Sequence, residues 1–472
     1  MRTDVLSRRA AAWTAAAPFD VPCEEQFVGL RRSGDALICV LAVAPSPPSP
    51  VVVGAAPQDG PPLLAAVAAA MSMRDTAPAA IDIVSHTMGG WGDTPAARAY
   101  RGLLGGLRIA AHRSVHLVLR IRPADLPRAV QARGGGGRGT LRTALWCVRR
   151  VRAALADSGI VAHPLTASEV TELTSLLAEG AAVTDAVDAE IGLRHNGVQL
   201  TAYRLSDHRP ETLARLLTAP VADEAVSTTV TLGYTATPAG PRLQVTVRDN
   251  GGPTVDRRGD HSLRLVTTGC RAAIAAGLPI GLPPGLRSGL PRDDGWQGYD
   301  AATTAHLART LTIPLAGDGQ IVGADRAGSP VALRLAGRDV PRCDVIGDHT
   351  LARQSVDRLA ALGLTVNVIS DHPRRWARLA DSVGNGLVAI GDCAYRTQVV
   401  VDDTAAGGVT AAPGTTLMRR STTDSVVALP PHVGPVLRQS ASDATVYAEG
   451  SGRRVPIRLV STSAERTLTE TD

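Results

Sequence analysis

Two hydrophobic periods alternate along this chain, and that alternation narrows its possible folds more than any other feature. Val115, Leu117, Leu119 and Ile121 alternate with His116, Arg120 and Arg122, the period-two pattern of a half-buried strand. A helix then spans Thr140 to about Ser158, with Leu141, Leu145, Val148, Val151 and Leu155 on one stripe and Arg142, Arg149 and Arg150 off it. Short strands and amphipathic helices trade places in this way from about residue 20 onward. The pattern predicts an α+β fold of two or three modest α/β sandwich-like domains built from hairpins and amphipathic helices. A length of 472 residues suits that number, at roughly 150 residues per domain.

Turn residues and composition shifts suggest where the pieces divide. A first region runs from about 20 to 180 and a second from 195 to 280, so that 20–280 reads as one core of two subdomains. The second contains a hairpin with Val226, Val230, Leu232 and Tyr234 on one arm, Thr237-Pro238-Ala239-Gly240 as the turn, and Leu243, Val245 and Val247 on the return. Residues 281–310 open with Gly281-Leu282-Pro283-Pro284-Gly285 and read as a Gly/Pro-rich linker. A second α+β module follows over 311–400. The remainder, 401–472, reads as a β-rich or partly disordered tail whose last dozen residues are frayed. Residues 1–19 stand apart from the core. No stretch reaches the ~18 continuous apolar residues that a spanning helix requires, and the N-terminus lacks the apolar segment of a secretory signal.

Composition excludes several chemistries. The chain has no lysine, so all 49 basic residues are arginine. A phosphate-binding loop of the G-x-x-x-x-G-K-[ST] kind, a protein kinase and a Schiff-base enzyme each need a lysine amine that guanidinium cannot replace. A net charge of +5 is small for this length, and aromatics are 3% with Phe19 and Phe27 the sole phenylalanines, which argues against a nucleic-acid surface. The six cysteines, Cys23, Cys39, Cys147, Cys270, Cys343 and Cys393, show no C-x-x-C spacing. They read as reduced, individually buried thiols, with no metal or cofactor site implied.

The formal motifs are weak. Gly134-Gly135-Gly136-Gly137-Arg138-Gly139 satisfies G-x-G-x-x-G, but no strand directly precedes it, so it reads as a flexible loop. Asp-His dipeptides occur at Asp207-His208, Asp260-His261, Asp348-His349 and Asp371-His372, three of them at helix starts, where aspartate caps backbone N–H groups. Ser85-His86 precedes a glycine loop and has no third partner for catalysis. There is no H-E-x-x-H, G-x-S-x-G or D-x-D pattern. No catalytic residue is indicated. Arg120 and Arg122 on a strand, with Arg149, Arg150 and Arg152 at a helix end, read first as solvated faces; the alternative makes them candidate docking residues for an acidic partner or a lipid head-group layer.

Several stretches, taken in order, resemble the EccE component of the type VII (ESX) secretion system. They are Ile81-Asp82-Ile83-Val84-Ser85, then Arg113-Ser114-Val115-His116-Leu117-Val118-Leu119-Arg120, then His163-Pro164-Leu165-Thr166-Ala167-Ser168-Glu169-Val170-Thr171-Glu172-Leu173. Arg194-His195-Asn196-Gly197 continues the likeness, and Ile313-Pro314-Leu315, Ile321-Val322-Gly323 and Pro330-Val331 extend it. The resemblance implies a non-enzymatic structural subunit of an actinobacterial inner-membrane complex, on its cytoplasmic face, working with EccB, EccC and EccD in a symmetric oligomer. It implies no catalytic residues and no cofactor. Family members usually begin with two transmembrane helices, and by that likeness residues 1–19 are juxtamembrane, with Arg8, Arg9 and Trp13 membrane-proximal. A start further upstream, or attachment through partners, accounts for the difference. The alternative is an α/β enzyme such as a metal-independent nucleotide-sugar transferase.

Overall fold

A computed structural model describes residues 16–469, apart from 25, 55–59, 73–76, 91–93, 108, 182–184, 190, 222–224, 253–259, 268, 281–297, 385, 392–396, 413, 423–433, 441 and 443–444. The fold is α+β. Its two compact units interleave along the sequence: residues up to 44, 58–86 and 114–315 form one, and 45–57, 87–113 and 316 onward form the other.

The first unit is organised by a long sheet. Its strand order is Phe19–Cys23, Gln26–Ser33, Ala36–Val43, His112–Ile121, Ala80–Met88, Ala225–Thr237, Gly240–Gly251, Val198–Leu205, Leu193–His195 and Val187–Asp188. The expected hairpin is present: Thr237 faces Gly240 across a two-residue Pro238-Ala239 turn. Strand Ala36–Val43 is apolar at every position because both of its faces are covered. Leu37, Cys39, Leu41 and Val43 join one core with helices Leu63–Met71, Gly136–Asp157 and Ala301–Thr310. Ile38 and Val40 join another with helices Ala167–Leu177 and Cys270–Ala276.

The same double covering changes the reading of His112–Ile121. Its polar face is not solvated, since His116 is buried and Arg120 is half-buried. Period-two polarity marks the two faces here but does not say which one meets water.

Helix Ala167–Leu177 opens on Thr166-Ala167-Ser168-Glu169, the spacing of a capping box. Thr166 Oγ1 accepts from the Glu169 N–H at 3.4 Å, and the Thr166 N–H donates to Glu169 Oε2 at 2.8 Å. The pair satisfies two N–H groups that the first turn leaves without helical partners.

The second unit holds two sheets. Gln320–Ala324, Pro330–Leu333 and Val51–Val52 form an antiparallel trio. The larger sheet has the order Val388–Ile390, Val366–Ser370, Val399–Asp403, Thr416–Ser421, Arg342–Ile346, Val436–Gln439, Val446–Gly450 and Arg453–Ile457. Its first six strands are parallel, and the last two are antiparallel additions. Parallel pairing is not what a chain read as hairpins leads one to expect. It needs crossovers, and helices His349–Ala361 and Arg374–Val383 supply two of them.

Residues beyond 400 contribute strands to this same sheet, and Ser463–Thr469 is a helix with Glu465 and Thr469 buried, so the last dozen residues are not frayed up to that point. Of the Gly/Pro-rich stretch, 281–297 lie outside the described residues, and Ala301–Thr310 is a helix capped by Asp300. No helix among the described residues is long and apolar enough to cross a membrane. Cys23, Cys39, Cys147 and Cys343 are buried free thiols, and Cys270 is only half-buried. Cys393 lies outside the described residues.

Candidate docking surface

The arginine-bearing segment is a helical hairpin. Short helix Pro127–Ala132 turns into the 22-residue helix Gly136–Asp157. The glycine run makes that turn. Gly134, Gly135 and Gly136 have φ of 103°, 64° and 52°, in the left-handed region that glycine adopts without a steric penalty. A Cβ on Gly139 would lie 2.4 Å from the Val130 carbonyl oxygen, so the two helices approach there through a bare backbone. The run is thus a structured turn and a helix start, not a flexible loop. The element before it is a helix, so the dinucleotide reading has no strand to rest on.

The long helix buries Ala144, Cys147, Val148, Val151 and Leu155. Leu141 and Leu145, expected on the same stripe, are half-buried at its margin. The outer face exposes Arg138, Arg142, Trp146, Arg149 and Arg150. Their spacing of about four residues places them along one side of the helix. Trp146 is 38% exposed, one of six exposed large apolar side chains among the described residues. The Arg133 guanidinium lies 5.1 Å from its ring centroid, a cation–π distance.

The five docking candidates differ in their surroundings. Arg149 Nη2 is 3.2 Å from Glu24 Oε1 in an exposed pair, and Arg150 is exposed beside it. Arg152 is half-buried and its Nε–H donates to the Ala162 carbonyl at 3.1 Å. Arg122 pairs with Asp125 at 2.8 Å. Arg120 Nε–H donates to Asp82 Oδ2 at 2.9 Å; burial raises the Asp82 carboxyl above its ordinary pKa and the Arg120 charge opposes that rise. Arg8, Arg9 and Trp13 lie outside the described residues.

The Asp-His dipeptides do different jobs. Asp348 is a helix cap, with its Oδ1 accepting from the Leu351 N–H at 2.9 Å. Asp207 is not one: it accepts from the Thr212 hydroxyl at 2.6 Å and pairs with Arg209. Asp371 accepts from the Ala405 N–H, and Asp260 from the Ser262 N–H. Proximity to a helix start therefore did not make the others caps. His112 and His116 stand four residues apart, the spacing that makes a metal pair on a helix. They lie on an extended strand, where four residues span roughly 13 Å, too far to share an ion. Among the described residues no group of three or more His, Cys, Asp or Glu is placed to hold a metal.

Ser85-His86 lies inside strand Ala80–Met88 and not at a loop. His86 is fully buried and its Nδ1 is 2.9 Å from Thr229 Oγ1. Around it, Arg248 donates to the Leu177 carbonyl at 2.7 Å and the Ile274 carbonyl at 3.0 Å, and Asn250 donates to Leu177 and Ser227. Burial pushes the Glu179 carboxyl up to about 7, against hydrogen bonds from Ser227 and Asn250 and the charge of Arg248. Sequence periodicity could not reveal this network, because its members come from strands and a helix end far apart in the chain. It is sealed, with His86, Thr229, Arg248 and Asn250 all at or below 2% exposure. It can brace the sheet against helix Ala167–Leu177, but no substrate reaches its histidine as the side chains stand.

Residues 109–205 match the family model of EccE, a putative type VII ESX secretion system translocon component. The matched stretch includes the whole arginine-bearing hairpin, the capped helix Ala167–Leu177 and strand Val198–Leu205. The likeness read from the sequence therefore holds over this region. No curated protein matches the chain. EccE is a family of secretion-system components and not a known family of enzymes.

Proposed function

Starting from a chain whose residues 109–205 are EccE-like, we propose that it is a structural, non-enzymatic subunit of a type VII translocon. It sits on the cytoplasmic face of the inner membrane and supports export together with EccB, EccC and EccD. The observation that carries this reading is that the EccE-like stretch presents an outward arginine face on helix Gly136–Asp157. A charged outer face of this kind meets other molecules by its surface.

The test is affinity purification of the tagged full chain from its own host, under conditions that keep membrane complexes intact. EccB, EccC and EccD are expected in the eluate, and deletion of the gene is expected to stop export of the system's substrates. Recovery of the chain alone, with export unaffected by the deletion, overturns the reading. A nucleotide or nucleotide sugar that stabilises the purified chain supports a ligand-binding enzyme instead, since a ligand at 100 times its Kd adds about 2.7 kcal/mol.

A further inference from the structure

We propose that the helical hairpin of residues 127–157 is a docking face for the anionic phospholipid head groups of a membrane surface. The charge pattern is the first reason. From Pro127 to Ala156 the sequence contains Arg128, Arg133, Arg138, Arg142, Arg149, Arg150 and Arg152 and no aspartate or glutamate. The whole chain is close to balanced, with 49 basic and 44 acidic residues, so thirty residues of one sign are a local concentration and not a reflection of the average.

The fold then turns that run outward. The buried stripe of helix Gly136–Asp157 faces the core of the first unit, which leaves Arg138, Arg142, Arg149 and Arg150 exposed with Trp146 between them. A helix of 22 residues is roughly 33 Å long, so these groups form a band and not a point. Guanidinium forks match phosphate oxygens in pairs, and each basic residue held near an anionic bilayer contributes roughly fivefold to partitioning.

A lipid surface fits this face better than an acidic protein does. Specific protein interfaces are built around a desolvated apolar centre with mixed polar groups at the rim. Here the band is a convex helix face whose own charges are all positive, with one aromatic ring on it and a single acidic neighbour, Glu24, paired to Arg149. Tryptophan in that position is suited to the head-group layer, where its ring lies among the glycerol groups and its N–H meets water. Arg133, 5.1 Å from the ring centroid, holds the indole beside a positive charge at the same level. The inference is compatible with the translocon reading but does not depend on it, because it concerns the isolated chain and a bilayer.

The experiment is flotation of the purified full chain with vesicles of phosphatidylcholine alone or with 30 mol% phosphatidylglycerol, about the anionic fraction that gives a strongly negative surface. The chain is expected to float with the anionic vesicles, to remain in solution with the neutral ones, and to be released at 1 M salt, where the Debye length falls to about 3 Å. The triple variant Arg138→Gln, Arg142→Gln, Arg150→Gln, which leaves the Arg149–Glu24 pair intact, is expected to lose about 100-fold in partitioning, by the same fivefold per residue. Its circular dichroism and unfolding midpoint are expected to match the parent, and Trp146→Phe to abolish a blue shift in emission on vesicle binding. Equal flotation with neutral vesicles, no flotation with either kind, or a triple variant that floats like the parent overturns the proposal. Loss of a co-purifying acidic subunit in the triple variant, without vesicle binding by the parent, makes the face a protein dock and also overturns it. Vesicle results leave the translocon reading untouched, since no partner subunit is present in them.

Discussion

Arg358 and Glu465, 107 residues apart in sequence, form a doubly hydrogen-bonded ion pair inside the second unit. Nε–H donates to Oε1 at 2.6 Å and Nη2–H to Oε2 at 3.0 Å, with both side chains at or below 3% exposure. The same guanidinium donates to the Ile321 and Val460 carbonyls. One arginine on helix His349–Ala361 thus ties down the antiparallel trio and the C-terminal helix Ser463–Thr469 together.

Glu465→Ala is expected to be among the most costly single changes outside the apolar cores. It leaves a buried guanidinium without its counter-charge, a loss of about 3–5 kcal/mol. Chemical denaturation of the variant checks it. A midpoint within error of the parent would mean that water replaces the carboxylate freely.

Asp357, next to Arg358 in sequence, makes the chain sensitive to pH. It is 1% exposed and neither carboxylate oxygen has a hydrogen-bond partner among the described residues. Burial, reinforced by the Glu465 charge, raises its pKa to about 7, and Arg358 only partly opposes this. Glu179 in the first unit is also raised to about 7 by burial. Each group binds its proton more tightly folded than unfolded, so each favours the folded state below its unfolded pKa and loses that contribution as pH rises toward 7. The slope is about 1.4 kcal/mol per pH unit for each proton. Asp357→Asn and Glu179→Gln, separately, are expected to flatten the fall in unfolding temperature between pH 4.5 and 7, and an unchanged profile in both counts against these assignments.

Arg120 and the hairpin arginines are expected to differ in kind. Arg120→Gln leaves the Asp82 carboxylate, itself 5% exposed, short of its charged donor, at roughly 1–3 kcal/mol. Its unfolding midpoint is expected to drop while vesicle partitioning holds. Arg142→Gln is expected to do the reverse, and a matching profile for the two would erase the distinction.

Gly139→Ala tests the helix contact directly. Alanine is the better helix former, yet its Cβ must displace the Val130 carbonyl. The clash is expected to outweigh the propensity gain of about 1 kcal/mol and to leave a net loss of about 1–3 kcal/mol by thermal unfolding. A stabilised variant would show that the two helices can slide apart at little cost.

What the sequence determined by itself was local. The Thr166/Glu169 box, the Asp348 cap, the Pro238-Ala239 turn and the apolar stripe at Val148, Val151 and Leu155 all follow from interactions within a few residues, and each stands where its pattern predicts. The EccE likeness was also legible over residues 109–205, since order along the chain survives in sequence. Tertiary structure alone decided which polar residues meet water. Arg120 and Arg142 look alike in a list of basic residues, but only packing puts one against Asp82 and the other on an outer face. It also decided that strands beyond residue 400 join Arg342–Ile346 in a parallel sheet and that the two units interleave. Those outcomes rest on burial and pairing between segments 38 or more residues apart, and hydrophobic period carries no information at that range.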